Sequence, residues 1–193
     1  MNIRGSKNHN FANYLSFYRI IVSPLILYFA LSRHENLFAI FLILSLVSDV
    51  LDGYIARRYN MESDFGARLD TIGDNFTFIL ALTGIYVFKL NDLLPHLNSF
   101  LFFAVMMIFT QVVSLLKFGR FPSLHLYSTK IGGCIQGTFI IVLFAYDFVA
   151  PLYYLMIVWG ILSSIEHITI QFIIPEMRAN AKGIYWILKG KSQ

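Results

Sequence analysis

Four aspartates are the residues in this chain best placed to do chemistry. Asp49 and Asp52 stand three apart, and Asp70 and Asp74 stand four apart. On a helix those spacings are about 60° and about 40° of rotation, so each pair projects from a single face. Both pairs interrupt strongly apolar stretches, where a charged group is costly and is a functional candidate by default. Four carboxylates crowded into a partly dry site repel one another, and two divalent cations balance their charge. Oxygen-only donors suit hard ions such as Mg²⁺ or Mn²⁺, and no His or Cys in the cluster suggests zinc. The alternative is that these aspartates cap helices or pair with Arg57, Arg58 and Arg68 at an interface.

Small and basic residues accompany the carboxylates. Gly53 and Ala56 fall on the Asp49/Asp52 face, and Gly66 precedes Asp70 by one turn. Their size allows a ligand close to the backbone, although helix packing in a membrane also favours them. Arg57 follows Gly53 by one turn and suits bidentate phosphate binding or an interfacial anchor.

The elements that position these groups follow from composition. The chain has 193 residues, 57% hydrophobic and only 13% charged. About a quarter charged is usual for a soluble domain, and a globule of this size cannot hide so much apolar surface. These proportions exclude a disordered chain, a disulfide scaffold and a cytosolic enzyme. The expected fold is an all-α polytopic membrane protein with six transmembrane helices. They are Phe17–Leu31, Leu37–Ala56, Leu69–Phe88, Leu97–Leu116, Ile131–Tyr146 and Pro151–Ile174. A single membrane domain is expected over residues 1–193. Residues 1–16 form its cytoplasmic juxtamembrane segment, and residues 175–193 its cytoplasmic tail. The first ten residues do not read as a cleaved signal peptide.

Six spans put both termini on one side. That side carries Arg4, Lys7 and Arg19, then Arg57, Arg58 and Arg68, then Lys117, Arg120 and Lys130, and finally Arg178, Lys182, Lys189 and Lys191. Only Arg33 and Lys89 of the fifteen basic residues remain opposite. The positive-inside rule makes the first side cytoplasmic, and a bacterial inner membrane is the expected location. The net charge of +4 is then a matter of topology and anionic headgroups, and no nucleic-acid partner is expected. The short link between the second and third spans makes them antiparallel neighbours, so the two carboxylate pairs can face each other.

The pattern Asp49-x2-Asp52-Gly53-x2-Ala56-Arg57-x8-Gly66-x3-Asp70-x3-Asp74 resembles the complete signature of the CDP-alcohol phosphatidyltransferases, integral membrane enzymes of phospholipid synthesis. The opening Asn13…Ser16…Arg19 is similar to a segment of many bacterial members. The resemblance implies that Asp49, Asp52, Asp70 and Asp74 hold two divalent metals, with Asp74 also the general base. It implies that Asp52, Gly53, Ala56, Arg57 and Gly66 surround the CDP group of CDP-diacylglycerol, and that the enzyme is a homodimer working among membrane lipids. Phosphatidyl transfer to a small alcohol, with release of CMP, is the activity it implies.

Lys117, Arg120, Lys130 and Arg178 lie on cytoplasmic segments and could bind an anionic acceptor, or could simply obey the charge bias. Glycerol 3-phosphate is the first expectation, with inositol phosphate, serine or another alcohol as alternatives. Members that use glycerol 3-phosphate commonly carry Asp-Pro-x-x-Asp-Lys around the last carboxylates. This chain has Asp70-Thr71-Ile72-Gly73-Asp74-Asn75. His125 reads as a loop hydrogen-bonder. Glu166 and His167 read either as a buried pair or as part of the acceptor pocket. Two rivals fit less well. A membrane prenyltransferase would carry more spans and an Asn-Asp-x-x-Asp motif, and an ion-coupled transporter would show inverted repeats with carboxylates near mid-membrane.

Overall fold

The computed structural model describes residues 11–59, 64–119, 126–175 and 183–189; the side chains of 11–16, 52, 53, 56, 57, 64–71 and 188 fall outside that description. Every regular element among the described residues is helical. The chain divides into two compact units, residues 1–93 and 94–193.

The first unit holds α1 (Phe11–Leu31), α2 (Glu35–Arg58), α3 (Asp64–Phe88) and the single turn α4 (Leu90–Leu93). Helix α1 packs on both α2 and α3. Its turn into α2 is tight, with Arg33 in the left-handed region at φ 57°. The pairing of α2 with α3 is antiparallel. Phe38 meets Phe88 with ring centroids 5.4 Å apart, and seven residues further along α2, Ser45 Oγ lies 3.3 Å from Thr77 Oγ1. Ile26, Ala30, Phe38, Leu42, Leu80 and Ile85 fill the space between the three helices. The link from α2 to α3 is short, as expected. Both helices run beyond the hydropathic limits of the spans, so Gly66 is a helical residue on the Asp70 face.

The second unit follows a 3-10 turn, Leu94–His96, and holds α5 (Leu97–Phe118), α6 (Tyr127–Ala145), α7 (Ala150–Ile173) and the short α8 (Ile184–Leu188). Gly119, at φ 67°, closes α5 in the left-handed conformation that glycine adopts without strain, and its N–H reaches Leu115 O. Pro151 sits in the first turn of α7, where no helical hydrogen bond is lost. Helix α7 is the centre of the unit. Against α5 it presents Gly160, beneath the Phe103 ring. Against α6 it sends Trp159 Nε1 to Ser128 O at 2.9 Å. At one end the hydroxyls of Tyr153 and Ser99 both donate to the His96 carbonyl, at 3.0 and 2.7 Å.

Among the described residues, three helical stretches are long and apolar enough to cross a membrane: Leu90–Phe118, Tyr127–Ala145 and Ala150–Ile173. The apolar parts of α1 and α3 reach Phe17–Leu31 and Ile72–Phe88. Large hydrophobic side chains point outward along the helices of both units, including Ile21, Tyr28, Val50, Ile79, Ile108 and Leu162. That distribution suits a lipid solvent, because burial against protein is no longer the only way to leave water.

Candidate functional site

Two of the four aspartates meet, and what joins them is an arginine from a third helix. Arg19 of α1 is fully buried, and its Nη1 donates to Asp49 Oδ1 of α2 and, at 2.9 Å, to Asp74 Oδ1 of α3. The two carboxylates are themselves 37% and 54% exposed. One face of the site therefore opens outward while Arg19 closes the other. The guanidinium lies flat on α3 because residue 73 is glycine. A Cβ there would sit 3.2 Å from Arg19 Cζ and 3.4 Å from both Nε and Nη2.

Helix geometry explains why these three side chains share a level. At 1.5 Å per residue, Arg19 lies about 12 Å from the start of α1, Asp49 about 14 Å from the end of α2 and Asp74 about 15 Å from the start of α3. Asp52 and Asp70 lie nearer the α2–α3 link, roughly one turn away. The motif is thus two-layered along the helix axes. Beyond the Asp49–Asp74 level the polar character continues inward. Ser45 and Thr77 form their link there, Ser48 Oγ donates to Ser45 O at 2.8 Å, and Ser23 Oγ donates to Arg19 O at 2.6 Å.

Arg19, counted in the sequence among the basic residues of the cytoplasmic side, is a buried partner of the carboxylates. The aspartates do pair with an arginine, and the observed one comes from α1; the side chains of Arg57 and Arg68 lie outside the described residues. Ser45, Gly73 and Thr77 were also missed. A signal existed for two of them, since Ser45 is one turn before Asp49 and Thr77 is three residues after Asp74, on the same faces.

The remaining motif residues are placed only as helix positions. Asp52, Gly53, Ala56 and Arg57 lie in α2 and Gly66 and Asp70 in α3, with their side chains outside the description. Among the described residues, no three His, Cys, Asp or Glu side chains gather closely enough to hold a metal ion. The donor chemistry nonetheless suits hard divalent cations. Two carboxylate oxygens from separate helices converge on one positively charged nitrogen, and Asp52 and Asp70 follow on the same two helices.

The basic residues expected to bind the acceptor have diverse settings. Lys117 Nζ donates to the carbonyls of Gln171 at 2.8 Å and Phe172 at 3.1 Å, so it caps the C-terminal end of α7. Lys130 stands over the Tyr127 ring, 5.8 Å from its centroid. Arg120, Arg178 and His125 lie outside the described residues. Glu166 Oε1 accepts the Ile184 N–H at 3.0 Å and caps α8, a role the sequence did not suggest. His167 is buried, and its Nε2 has no hydrogen-bond partner among the described residues.

A profile of the CDP-alcohol phosphatidyltransferase family matches residues 9–168. The chain is 35% identical over 98 residues to the CDP-diacylglycerol--glycerol-3-phosphate 3-phosphatidyltransferase of Aquifex aeolicus, across 50% of this chain and 52% of that protein. It is 41% identical over 68 residues to the protein of the same name from Rickettsia typhi, across 34% of this chain and 38% of that one. Over 111 residues it is 28% identical to a cardiolipin synthase (CMP-forming) / mitochondrial hydrolase fusion protein of Schizosaccharomyces pombe, across 58% of this chain and 18% of that one. The matched stretch thus spans about half of the Aquifex relative and less of the other two. No solved structure gives a significant match. The family profile covers most of the chain, and the chain belongs to the CDP-alcohol phosphatidyltransferase family.

Proposed function

We propose that this family member transfers a phosphatidyl group from CDP-diacylglycerol to a small phosphorylated alcohol, first of all glycerol 3-phosphate, and releases CMP. The observation that carries the reading is the convergence of Asp49 and Asp74 on one point from antiparallel helices, within the family's motif. The names of the Aquifex and Rickettsia relatives support the acceptor. In this reading α1, α2, α3, α5, α6 and α7 are six transmembrane helices, and the carboxylates face the cytoplasm of a bacterial cell. The positive-inside distribution supports that orientation, and the family resemblance supports a homodimer among membrane lipids.

Asp49, Asp52, Asp70 and Asp74 would hold two divalent cations, Mg²⁺ or Mn²⁺. Bound there, such ions neutralise a diphosphate and stabilise the departing phosphate of CMP. The chain's own residues do the rest. Asp52, Gly53, Ala56, Arg57 and Gly66 seat the CDP group, the small residues by admitting it close to the helix backbone and Arg57 by pairing with a phosphate. Asp74 is the more exposed of the two described carboxylates and is anchored through one oxygen by Arg19, which suits a group that must receive a proton without moving. It takes the proton of the acceptor hydroxyl. The hydroxyl oxygen then bonds to the phosphorus that carries the diacylglycerol, the bond from that phosphorus to the bridging oxygen breaks, and CMP leaves with the electron pair. Arg120, Lys130 and Arg178 supply positive charge to the acceptor's phosphate. Lys117 is engaged with the last carbonyls of α7.

The test is CMP release and lipid product from the purified protein in lipid nanodiscs, with CDP-diacylglycerol and a panel of glycerol 3-phosphate, inositol phosphate, inositol and serine. Turnover is expected with glycerol 3-phosphate and Mg²⁺ or Mn²⁺, to stop in chelator, and to fall at least about a thousandfold in Asp74→Asn. An active Asp74→Asn, turnover in chelator, or no product from any acceptor refutes the proposal.

A further inference from the structure

The four carboxylates of the motif are not the whole charge of the site. Arg19 is fully buried, touches both Asp49 and Asp74, and lies so close on Gly73 that a Cβ there would make it give by a few tenths of an ångström. A buried guanidinium cannot shed its proton, so this charge is permanent. It also sits on the deeper layer of the motif, at one level with the two carboxylates it binds.

We propose that Arg19 is a resident cation of the carboxylate site, a positioning residue that sets how tightly divalent ions bind. The inference rests on the metal-dependent reading above. With Arg19 in place, four carboxylates leave three net negative charges. Two divalent ions then bring the site to a single positive charge, where neutrality would otherwise result. The guanidinium has two consequences. In the absence of metal it holds two like-charged groups together that would otherwise push α2 and α3 apart. Towards metal it competes, because Asp49 Oδ1 and Asp74 Oδ1 are both engaged with Nη1, and its charge repels an incoming ion. Binding is therefore weak until the anionic diphosphate of the donor supplies the missing negative charge. Gly73 belongs to the same device, since it admits the guanidinium to the α3 surface.

A unit charge a few ångströms from a divalent ion changes its affinity by on the order of tenfold even when partly screened. The experiment is Mn²⁺ binding by electron paramagnetic resonance to donor-free protein in nanodiscs, with the melting temperature recorded in chelator. Arg19→Gln is expected to bind Mn²⁺ about tenfold more tightly than the wild type and to melt lower without metal. Arg19→Lys keeps the charge and is expected within about threefold of the wild-type affinity. Gly73→Ala keeps every charge but presses the guanidinium away from α3 and from its two carboxylates, and is expected to tighten Mn²⁺ by about threefold. A purely structural arginine would lower the melting temperature of Arg19→Gln without tightening Mn²⁺, and that result overturns the inference. Should Arg19→Gln fail to fold, Gly73→Ala decides alone: unchanged or weaker Mn²⁺ binding overturns it. Wild-type protein that binds Mn²⁺ but forms no lipid product refutes the transferase reading and leaves this one standing.

Discussion

Gly160→Ala tests the packing of α5 on α7 through a single methyl group. A Cβ on residue 160 would lie 2.2 Å from Phe103 Cε2, 2.9 Å from Cδ2 and 3.2 Å from Cζ. Ordinary carbon contact is about 3.7 Å, so the ring or the helix must yield by about 1.5 Å. Phe103 is buried and cannot swing freely into solvent. Overpacking of this kind costs about 1–3 kcal/mol, and the size of the clash places this case in the upper half, at about 2–3 kcal/mol. For a chain of this length that lowers the melting temperature by roughly 4–12 °C. Tryptophan fluorescence suits the measurement, since Trp159 adjoins the site. Phe103→Leu removes Cε2, which makes the closest contact, and Cζ, so the double variant should recover at least about 1 kcal/mol relative to the sum of the two single variants. A Gly160→Ala protein melting within about 1 °C of the wild type, or a double variant with no recovery, refutes the close approach of the two helices.

Two further outcomes bear on charged groups. Lys117→Met removes the ammonium from the last carbonyls of α7 and should cost about 1–2 kcal/mol, read as a lower melting temperature, while the KM for the acceptor stays within about twofold. An unchanged melting temperature with a tenfold higher KM assigns Lys117 to the acceptor instead. Glu166→Ala removes the cap of α8, and the amides of residues 184–188 should exchange about tenfold faster by mass spectrometry. Unchanged exchange there dissociates Glu166 from α8.

The carboxylate pairs were legible because an ionised group inside an apolar run has few inexpensive explanations, and spacings of three and four residues put each pair on one helix face. The antiparallel partnership of α2 and α3 followed from their short link. The role of Arg19 was not legible. It stands near the start of an apolar run, where a basic residue usually reaches out to headgroups, and only the packing of α1 on both α2 and α3 turns it inward. Lys117 was hidden for a similar reason: its carbonyl partners lie 54 and 55 residues away, a separation that no local pattern encodes. The ends of the helices also outran the apolar stretches. Hydropathy marks where lipid begins, whereas a helix continues until a group such as Gly119 stops it.

The burial of Arg19 has a consequence for the order in which the protein is built. In the six-span arrangement proposed above, α1 leaves the ribosome before either carboxylate helix exists. Alone in the bilayer, its arginine carries a penalty on the order of a few kcal/mol and can be relieved only by reaching back to the headgroups. The arrival of α2 supplies Asp49, and only α3 brings Asp74 and the bare surface of Gly73. In that arrangement the partners that satisfy the buried Arg19 are complete only once the third helix has been synthesised.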